Sequence, residues 1–320
     1  MFRSFFITLS KADWARRAIV GWKPAWRMAS RFIAGEKLAD AVAVIKGLNS
    51  RGINTTLDHL GEHTTTKEEA VQATREIVEI FGEIERQQVK SNISVKLSQI
   101  GLGLDLELCE ANLVRILEHA REVNNFVRVD MEDSTTVDAT LEIYKKMVEE
   151  KGLTNLGLVF QSYLYRSKED IASLSEIGTP VRLCKGAYKE PPEVAYPAKA
   201  DVDKNYDELA ALLMEISRKH GFPEASTDGR VPPIPAIATH DEKRINFVKQ
   251  YAEKFGIPKN AFEFQMLHGI RRDLQVQLVK EGYCVRVYVP FGTQWYPYFM
   301  RRLAERPANV WFILSNYFKN

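Results

Sequence analysis

Short apolar runs alternate with longer stretches of mixed polarity along most of the chain after residue 50. Eight runs are rich in apolar and β-branched residues and recur about every thirty residues, which is typical of buried strands in an alternating α/β protein. The runs that we predict as strands are Ile53–Leu57, Ile93–Leu97, Val127–Asp130, Leu158–Ser162, Val181–Cys184, Ala236–Thr239, Phe262–Met266 and Cys284–Val289. Between them, stretches such as Lys67–Arg86 and Leu108–Val123 repeat apolar residues at spacings of three and four, which predicts amphipathic helices.

Strands that alternate with helices predict a parallel sheet, because each helix returns the chain to the end of the sheet where the next strand starts. Eight strand–helix units are the number in a (β/α)8 barrel. We therefore predict an α/β protein whose fold is a (β/α)8 TIM-like barrel with additional N-terminal helices. We expect residues 1–50 to form an N-terminal helical arm and residues 51–320 to form the barrel, as a single catalytic domain overall.

One interval between predicted strands is longer than the others. Two segments rich in proline and glycine, 190–197 and 220–235, lie between Cys184 and Ala236 on either side of a predicted helix at Tyr206–Lys219. Connections of this length in a compact domain are usually functional or mobile. The pattern alone assigns this segment no role.

Composition changes the picture mainly by exclusion. Hydrophobic residues make up 45% and charged residues 27% of the 320 residues, which is ordinary for a globular protein and excludes disordered and collagen-like classes. The 44 Lys and Arg residues nearly balance the 42 Asp and Glu residues, so no nucleic-acid partner is predicted.

The three cysteines are far apart and form no CxxC pair, which favours a reduced, cytoplasmic protein. No apolar run approaches the ~20 residues that span a bilayer, and we expect no secretory signal.

The first 34 residues are locally biased in charge. Asp13 is the one acidic residue in this segment, whereas cationic and aromatic residues are interleaved throughout it. They are Arg3, Lys11, Arg16, Arg17, Lys23, Arg27 and Arg31, together with Phe2, Phe5, Phe6, Trp14, Trp22, Trp26 and Phe32. One interpretation is weak contact with an anionic membrane surface. The other is a helical arm whose aromatic residues pack on the barrel, and one helix can do both with different faces.

Polar residues concentrate at the ends of the predicted strands. In a (β/α)8 barrel the chemistry takes place at the carboxyl ends of the strands, and charged groups there are costly to bury without partners. The residues at these ends are Asp58, His59, Lys96, Ser98, Asp130, Glu132, Gln161, Lys185, Thr239, His240, His268 and Tyr288. One such residue is usually a structural cap, but a ring of them indicates a functional site.

Several familiar motifs are absent or misplaced. The sequence His59-Leu-Gly-Glu-His63 matches an inverted zinc-protease pattern, but it follows a strand and contains Gly61, so it predicts a loop and no metal site. No G-x-S-x-G, G-x-G-x-x-G or Walker motif is present. Lys96 or Lys185 at a strand end could form a Schiff base, as in class I aldolases, and this is the alternative enzyme hypothesis. A membrane-associated scaffold without turnover is the non-enzyme alternative.

The segment that follows the eighth predicted strand carries a candidate anion site. The chain turns at Pro290 and Gly292 and continues as a helix with the adjacent residues Arg301 and Arg302. Their side chains diverge by about 100° on a helix, yet both can reach a small anion that lies between them. Glu305 is one turn later and can pair with either guanidinium. A forked guanidinium matches a carboxylate. The competing interpretation is a basic helix face in solvent.

Taken together, the strand-end motifs resemble the monofunctional bacterial proline dehydrogenases, whose domain also occurs in bifunctional proline-utilisation proteins. The resemblance covers about residues 36–310, and the motifs occur in the family's order at nearly every predicted strand. The stretches that carry it are Asp58–Glu62, Ser94–Ser98, Val127–Glu132, Gly157–Gln161, Val181–Tyr188, Ala238–His240, Phe262–Gly269 and Tyr288–Glu305. The (β/α)8 barrel with N-terminal helices that the family has agrees with the fold predicted from the strand pattern.

The resemblance implies an activity, a cofactor and partners. It implies the oxidation of L-proline to Δ1-pyrroline-5-carboxylate, the first step of proline degradation to glutamate, by hydride transfer from C5 of proline to N5 of FAD. Electrons then pass to a membrane quinone, so that the protein is cytoplasmic and peripheral on the inner face of the cytoplasmic membrane. A separate pyrroline-5-carboxylate dehydrogenase is an implied docking partner. No metal ion is implied.

The resemblance also assigns roles to individual residues. The implied catalytic residues are Asp130, Arg182 and Tyr288, with Asp130 holding the cationic cluster and Arg182 beside N5 of the flavin. The implied substrate-binding residues are Lys96, Tyr188, Leu267, Arg301, Arg302 and Glu305. The implied cofactor-binding residues are Met131, Gln161, Arg182, Lys185, Gly186, Ala187, Thr239 and His240. No residue is assigned to accept the proton of the substrate amine.

Overall fold

The computed structural model describes residues 9, 12–61 and 64–305, with the backbone alone for Asp13 and Glu305. Eight parallel strands form a closed barrel in which each strand pairs with the next along the chain and the last pairs with the first. The strands are β1 (Asn54–His59), β2 (Ser91–Lys96), β3 (Val127–Asp130), β4 (Leu156–Gln161), β5 (Val181–Cys184), β6 (Ala236–Ala238), β7 (Glu263–Leu267) and β8 (Cys284–Phe291). The predicted (β/α)8 barrel is confirmed.

Eleven α-helices lie within the described residues. They are α1 (Asp13–Val20), α2 (Lys23–Ala29), α3 (Leu38–Asn49), α4 (Lys67–Gln87), α5 (Leu106–Glu122), α6 (Val137–Lys145), α7 (Ser167–Ser173), α8 (Lys199–Lys219), α9 (Glu242–Lys254), α10 (Arg272–Lys280) and α11 (Trp295–Glu305). Short 3-10 turns occupy Leu97–Gln99 and Ser134–Thr136, and a π-helical turn, Lys146–Glu150, extends α6. None of these described helices is long and apolar enough to cross a membrane.

The strands have an apolar outer face and a polar inner face. In β2, Ile93 and Val95 are fully buried in the apolar layer between the strands and the helices. Asn92, Ser94 and Lys96 alternate with them and are also buried, but they lie inside the barrel, where they contact polar groups. Side chains alternate between the two faces of a strand, so a run of alternating Ile, Val and polar residues encodes both layers.

The segment before β6 covers the amino end of the barrel. The backbone carbonyl of Arg230 accepts a hydrogen bond from Asn92 Nδ2 at 2.9 Å. The Arg230 guanidinium donates to Glu85 Oε2 at 2.6 Å and to the carbonyl of Val123 at 3.2 Å, which lie at the ends of α4 and α5. Residues 232–235 are buried. The long connection thus has, in its second half, a structural role that the sequence pattern did not reveal.

The N-terminal helices and α11 form a second apolar cluster at the carboxyl end of the barrel. Trp26 lies 5.3 Å from Trp295 between ring centroids, and Phe32 lies 6.4 Å from Phe299. The chain is in close contact here, because a Cβ added to Gly269, after β7, would meet the Arg31 carbonyl at 1.8 Å. This agrees with the interpretation that part of the arm packs on the barrel, while α3 packs against β1 and β8.

Most strand boundaries differ from the sequence prediction by one or two residues, and the differences at β8 and α8 have a clear structural cause. β8 continues through Pro290 and Phe291, because both residues stay in register with β1 and the Pro290 carbonyl accepts a hydrogen bond from Ala34 at 2.8 Å. The turn therefore comes at Gly292, whose φ of 124° favours glycine. α8 begins at Lys199 and not at Tyr206, because its first two turns are fixed by ion pairs of Lys199 and Asp203.

Candidate active site

Four strands bring charged side chains together inside the carboxyl end of the barrel. Asp130, at the end of β3, is the centre of this group. Its Oδ2 accepts a hydrogen bond from the Tyr288 hydroxyl of β8 at 2.7 Å and lies 3.5 Å from Lys96 Nζ of β2. Its Oδ1 accepts from Arg182 Nη2 of β5. Three of the predicted catalytic residues and one predicted substrate-binding residue therefore lie in one cluster, although nothing in the sequence spacing places them in contact.

Further polar residues complete this cluster. Ser94 Oγ donates to Asp130 Oδ1 at 3.0 Å and lies 3.1 Å from Arg182 Nη2, from which it accepts. Gln265 Oε1 accepts from Arg182 Nη1 at 3.4 Å. Sequence reasoning missed both residues as members of the site. The signal was available, because each lies two positions before a predicted site residue on the same strand and therefore on the same face.

Asp58 at the end of β1 is the second carboxylate of the cluster. Its Oδ1 lies 3.1 Å from Lys96 Nζ, and the residue is 1% exposed. The sequence pattern placed Asp58 among the strand-end polar residues but gave it no role. Burial raises its pKa, and the neighbouring Lys96 only partly opposes this effect. The Lys96 ammonium is thus held between Asp58, Asp130 and the Tyr288 hydroxyl, which it approaches to 3.4 Å.

Burial and neighbouring charges set the protonation of Asp130 and Tyr288. Burial acts to raise the pKa of Asp130, but Arg182 and then Lys96 outweigh it and hold the pKa below the usual value. Burial raises the pKa of Tyr288 well above its usual value, and the carboxylates of Asp130 and Asp58 raise it further. Asp130 is therefore ionised at neutral pH and Tyr288 keeps its proton. The guanidinium of Arg182 lies over the Tyr288 ring, 5.2 Å from its centroid.

The predicted cofactor-binding residues follow β3, β4, β5 and β6 on one side of this cluster. Gln161 ends β4, and its Nε2 donates to the carbonyls of Met131 at 3.4 Å and Glu132 at 3.1 Å. Thr239 and His240 follow β6. His240 Nε2 accepts the backbone N–H of Leu267 at 2.9 Å, so the neutral ring carries its proton on Nδ1. Met131 is buried directly after β3.

Lys185, Gly186 and Ala187 form the backbone turn after β5. The ammonium of Lys185 is 2.5 Å from Asp203 Oδ1 and 2.7 Å from Asp241 Oδ2, so α8 and the start of α9 hold it in place. Gly186 has φ of 106°, and a Cβ there would meet the ring of Tyr163 at 2.4 Å. Glycine is therefore needed for this turn. Two of the three N–H groups of Lys185 donate to carboxylates, which leaves one N–H group for a further acceptor.

The residues on this side of the cluster fit a flavin. Within the described part of the chain, Gln161 Oε1 is buried and has no hydrogen-bond donor, although its amide is fixed by two carbonyls. The uracil-like edge of an isoalloxazine has N–H and C=O groups that could pair with such an amide and with the Nδ1–H of His240. Arg182 supplies the positive charge that an electron-accepting ring favours. The Gln161 amide, the His240 ring and the Arg182 guanidinium are thus appropriate partners for a flavin that lies beside the cluster, at the carboxyl ends of β4, β5 and β6.

The remaining predicted substrate-binding residues come from the loop after β5, the end of β7 and α11. Tyr188 is half-buried in the loop and Leu267 packs on the apolar cluster that contains α11. Arg302 is buried with its guanidinium 5.0 Å from the centroid of the Tyr298 ring, and Arg301 is half-buried. Neither arginine lies on a solvent-exposed basic helix face, which was the competing interpretation. The side chain of Glu305 lies outside the described residues.

No metal site is evident where the structure describes the chain. Among those residues no three His, Cys, Asp or Glu side chains are grouped as metal ligands would be. In the H-x-x-E-H motif, His59 is the last residue of β1 and not part of a loop as predicted, and its ring stacks on Phe291 at 5.1 Å. Glu62 and His63 lie outside the described residues.

Comparisons with known proteins identify the family to which this sequence is similar. The family model described as proline dehydrogenase matches residues 41–314. The chain is 40% identical over 310 residues to proline dehydrogenase 2 of Bacillus subtilis, a match that covers 97% of this chain and 96% of that protein. It is 42% identical over 297 residues to the proline dehydrogenase of Deinococcus radiodurans, with 92% and 91% of the two chains covered.

A solved structure shares the fold. The proline utilization A protein of Bdellovibrio bacteriovorus, inactivated by N-propargylglycine, matches with a TM-score of 0.78 and 29% sequence identity. The match covers 88% of this chain, but this chain spans only 33% of that longer protein. The bifunctional protein PutA of Escherichia coli is 26% identical, and the match covers 24% of its length.

Proposed function

The chain belongs to the proline dehydrogenase family, whose members oxidise proline in proline catabolism, and from that membership we propose how this chain does so. We propose that it oxidises L-proline to Δ1-pyrroline-5-carboxylate with FAD bound at the carboxyl end of the barrel. The observation that carries the proposal is the buried cluster in which Lys96, Arg182 and Tyr288 converge on Asp130. Such a cluster is costly for stability, and a site for an anionic substrate beside an electron acceptor accounts for it.

The substrate carboxylate is bound, in this proposal, by Lys96, Arg301 and Arg302. Lys96 comes from the floor of the site at the end of β2, and the arginines come from α11, which packs with the N-terminal helices across the carboxyl end. Asp58 and Asp130 position the Lys96 ammonium from two sides. The resemblance to the family assigns Glu305 the role of orienting the arginines. Three cations on one carboxylate fix the orientation of the ring, which is what an oxidation at one ring carbon requires.

The walls of the site orient the pyrrolidine ring. Tyr288, Leu267 and Tyr188 surround it, and the Tyr288 hydroxyl stays protonated because it donates to Asp130. FAD, when bound, would supply the two-electron acceptor for the hydride that leaves C5 of proline. The residues that would hold it are Met131, Gln161, Lys185, Gly186, Ala187, Thr239 and His240, and Arg182 would place its positive charge near the flavin N5. The apolar walls exclude water and strengthen the few charges inside.

The visible spectrum of the purified holoprotein tests this proposal. We expect a yellow protein whose flavin absorption bleaches when L-proline is added without oxygen. Cyclopentanecarboxylate is the matched control, because it has the ring and the carboxylate of proline but no nitrogen lone pair to assist hydride loss. It should bind without bleaching. A protein that stays colourless when supplied with FAD, or a flavin that proline does not reduce, would contradict the proposal.

Replacing either arginine of α11 should weaken proline binding. In Arg301→Ala and Arg302→Ala we expect KM for proline to rise by about tenfold to a hundredfold, because each variant loses a charge-assisted contact of about 1.5–3 kcal/mol. Steady-state kinetics on the holoenzyme measures this effect. Arg121→Ala, on the exposed face of α5, is the control and should leave KM unchanged. A wild-type KM for proline in both variants would show that neither arginine contributes to substrate binding.

We further propose that the arm formed by residues 1–50 contacts the membrane from which quinone is supplied, which makes the protein peripheral on the cytoplasmic membrane. Trp14 on α1 is 67% exposed and Trp22, directly before α2, is 47% exposed, although Trp26 on α2 packs on Trp295 of the barrel domain, residues 51–320. Exposed cations surround them, namely Arg16, Arg17, Lys23 and Arg27. Exposed indoles beside cations suit an anionic lipid surface. Because α1 and α2 lie at the carboxyl end of the barrel, this contact would bring the site close to the lipid.

Neutralising two of these cations should weaken vesicle binding. For Arg17→Gln/Lys23→Gln we expect about thirtyfold weaker partition into vesicles that contain phosphatidylglycerol, because each cation near an anionic surface contributes about 1 kcal/mol. Sedimentation with vesicles measures it. The control is Arg75→Gln/Arg121→Gln, which removes the same charge from exposed positions on α4 and α5. Equal binding of both double variants would contradict a membrane role for the arm.

The product of the reaction suggests one more partner. Δ1-Pyrroline-5-carboxylate must be oxidised further in proline degradation, and in the bifunctional relatives this chain corresponds to only a part of the protein. We propose that a separate pyrroline-5-carboxylate dehydrogenase docks to this chain. Co-sedimentation of the two purified enzymes, with and without proline turnover, tests this docking.

A further inference from the structure

A buried arginine below the active site has no part in the mechanism derived above. Arg128 lies on β3 two residues before Asp130, on the same face of the strand, and is 2% exposed. The charged groups that act on its guanidinium are Arg182, Glu263, Arg286 and Asp130, all of which project into the barrel. Arg128 is therefore part of the charged interior beneath the cluster.

The contacts of Arg128 are all neutral. Its Nη1 donates to the carbonyl of Leu158 at 3.2 Å and to the carbonyl of Pro180, and its guanidinium lies 4.9 Å from the centroid of the Phe126 ring. No carboxylate within the described ranges lies at ion-pair distance, and Nη2 has no hydrogen-bond acceptor there. Gly157 leaves the space that the guanidinium occupies, because a Cβ at this position would lie 2.6 Å from Arg128 Nη1.

The other charges inside the barrel are paired. Asp58 contacts Lys96 at 3.1 Å, Asp130 contacts Arg182, and Glu263 contacts Arg286 at 2.8 Å. Among the described residues inside the barrel, four cations (Lys96, Arg128, Arg182 and Arg286) face three carboxylates (Asp58, Asp130 and Glu263), and Arg128 is the cation in excess. Protonation of Asp58, whose pKa burial raises, would only increase this excess.

Arg128 keeps its charge in spite of this environment. Burial, and then repulsion by Arg182, lowers its pKa to about 9, which is still above neutral pH. An unpaired buried charge is costly, and an uncharged side chain could fill the same space. The charge therefore calls for an explanation other than packing.

We propose that Arg128 provides the active site with a positive charge that is not paired with any carboxylate among the described residues. It acts from beneath Arg182 and strengthens the binding of an anionic substrate and of the electron-rich reduced flavin. The inference rests on the proposed function. Arg128 is an electrostatic positioning residue in this account, since it contacts neither group. A charge at about 10 Å, in a medium of effective dielectric constant ~20, changes an anion's binding constant by roughly tenfold.

Substitutions that separate charge from volume test the proposal. Arg128→Gln and Arg128→Met remove the charge, and Arg128→Lys retains it. Two equilibrium properties of each holoprotein are measured without turnover: the dissociation constant of cyclopentanecarboxylate, from the change in flavin absorption, and the midpoint potential of the flavin. Thermal unfolding of each variant is recorded in parallel.

We expect the Gln and Met variants to bind the carboxylate about tenfold more weakly and to have a lower midpoint potential, while the Lys variant stays within about twofold of wild type. If all three variants lose stability but keep the wild-type affinity for the carboxylate and the wild-type midpoint potential, Arg128 contributes only to stability and the inference is wrong. If the wild-type protein itself binds neither FAD nor the carboxylate, the proposed function fails, and the inference fails with it.

A second measurement covers the case in which the uncharged variants do not fold. In Arg128→Lys the ammonium would have the same charged and titratable neighbours as Arg128. They are Asp130 on β3, Tyr144 on α6, Arg182 on β5, Glu263 on β7 and Arg286 on β8. Burial among these groups lowers the pKa of a lysine below that of the arginine it replaces, so the lysine loses its proton at a lower pH than Arg128 does. The carboxylate affinity of this variant should therefore begin to fall at a lower pH than that of the wild type, in which Arg128 has a pKa of about 9. Parallel curves would overturn the proposal.

Discussion

Asp130→Asn is expected to lower kcat/KM for proline by at least about a hundredfold. The carboxylate accepts hydrogen bonds from Ser94, Arg182 and Tyr288 and lies beside Lys96. An asparagine has the same shape but no charge, and its NH2 group would face donors at one of the two oxygen positions. Arg182 and Lys96 would then lose a shared counter-charge and the alignment of the substrate carboxylate, and a hundredfold corresponds to ~2.7 kcal/mol of transition-state stabilisation.

Steady-state kinetics of the holoenzyme measures this loss, with retained flavin as the check that the barrel is intact. The control is Asp138→Asn on α6, where the carboxylate is exposed and pairs with Arg166 at the surface. A surface ion pair contributes little, so the control should keep its kcat/KM. An Asp130→Asn enzyme with kcat/KM within twofold of wild type would mean that the cluster only supports the barrel.

The second large effect is expected on stability. Glu263→Gln should lower the free energy of unfolding by about 3–5 kcal/mol, because it leaves Arg286 buried without its counter-charge. Arg286 is 0% exposed, and its Nε lies 2.8 Å and 3.1 Å from the two oxygens of Glu263. Gln265 also donates to this carboxylate at 2.5 Å, so the substitution releases the amide that contacts Arg182.

Urea denaturation of the variants measures this cost. Glu281→Gln is the control, because its partner Lys249 is near the surface and the pair is worth at most about 1 kcal/mol. The double variant Glu263→Gln/Arg286→Met should recover part of the stability, since no unpaired charge remains. A Glu263→Gln variant as stable as the Glu281→Gln control would show that the buried pair contributes nothing.

Most of the fold could be predicted because each strand carries two patterns at once. In β2 the outward Ile93 and Val95 pack on helices, and the alternating polar residues line the interior. The run of apolar residues marks the strand and its length. Repeated eight times with helices between, this pattern has few solutions other than a closed parallel barrel. The end of β8 was misplaced because Pro290 suggests a turn, whereas pairing with β1 keeps it extended.

The contacts inside the site could not be predicted from local pattern. Asp130 and Tyr288 are 158 residues apart, and only closure of the barrel brings them to 2.7 Å. The same reason explains why Arg230 was not expected at the amino end of the barrel, where it contacts Asn92. The family resemblance pointed to Lys96, Asp130, Arg182 and Tyr288 as members of one site, and the geometry adds that Asp130 joins the other three.

The lysines that suggested an aldolase-like Schiff base are both held by carboxylates. Lys96 lies between Asp58 and Asp130, and Lys185 lies between Asp203 and Asp241. A Schiff-base lysine needs a nitrogen that can attack a carbonyl carbon, whereas both of these nitrogens are hydrogen-bonded to carboxylates. The family match and this pairing both favour the oxidation of proline over the aldolase hypothesis.

A crystal structure of the FAD-loaded protein with cyclopentanecarboxylate tests the carboxylate site most directly. The account predicts the carboxylate within hydrogen-bonding distance of Lys96, Arg301 and Arg302, with the ring between Tyr288 and an isoalloxazine that contacts Arg182 and Gln161. A carboxylate bound beyond hydrogen-bonding distance of Lys96, with the two arginines turned away from it, would contradict the account.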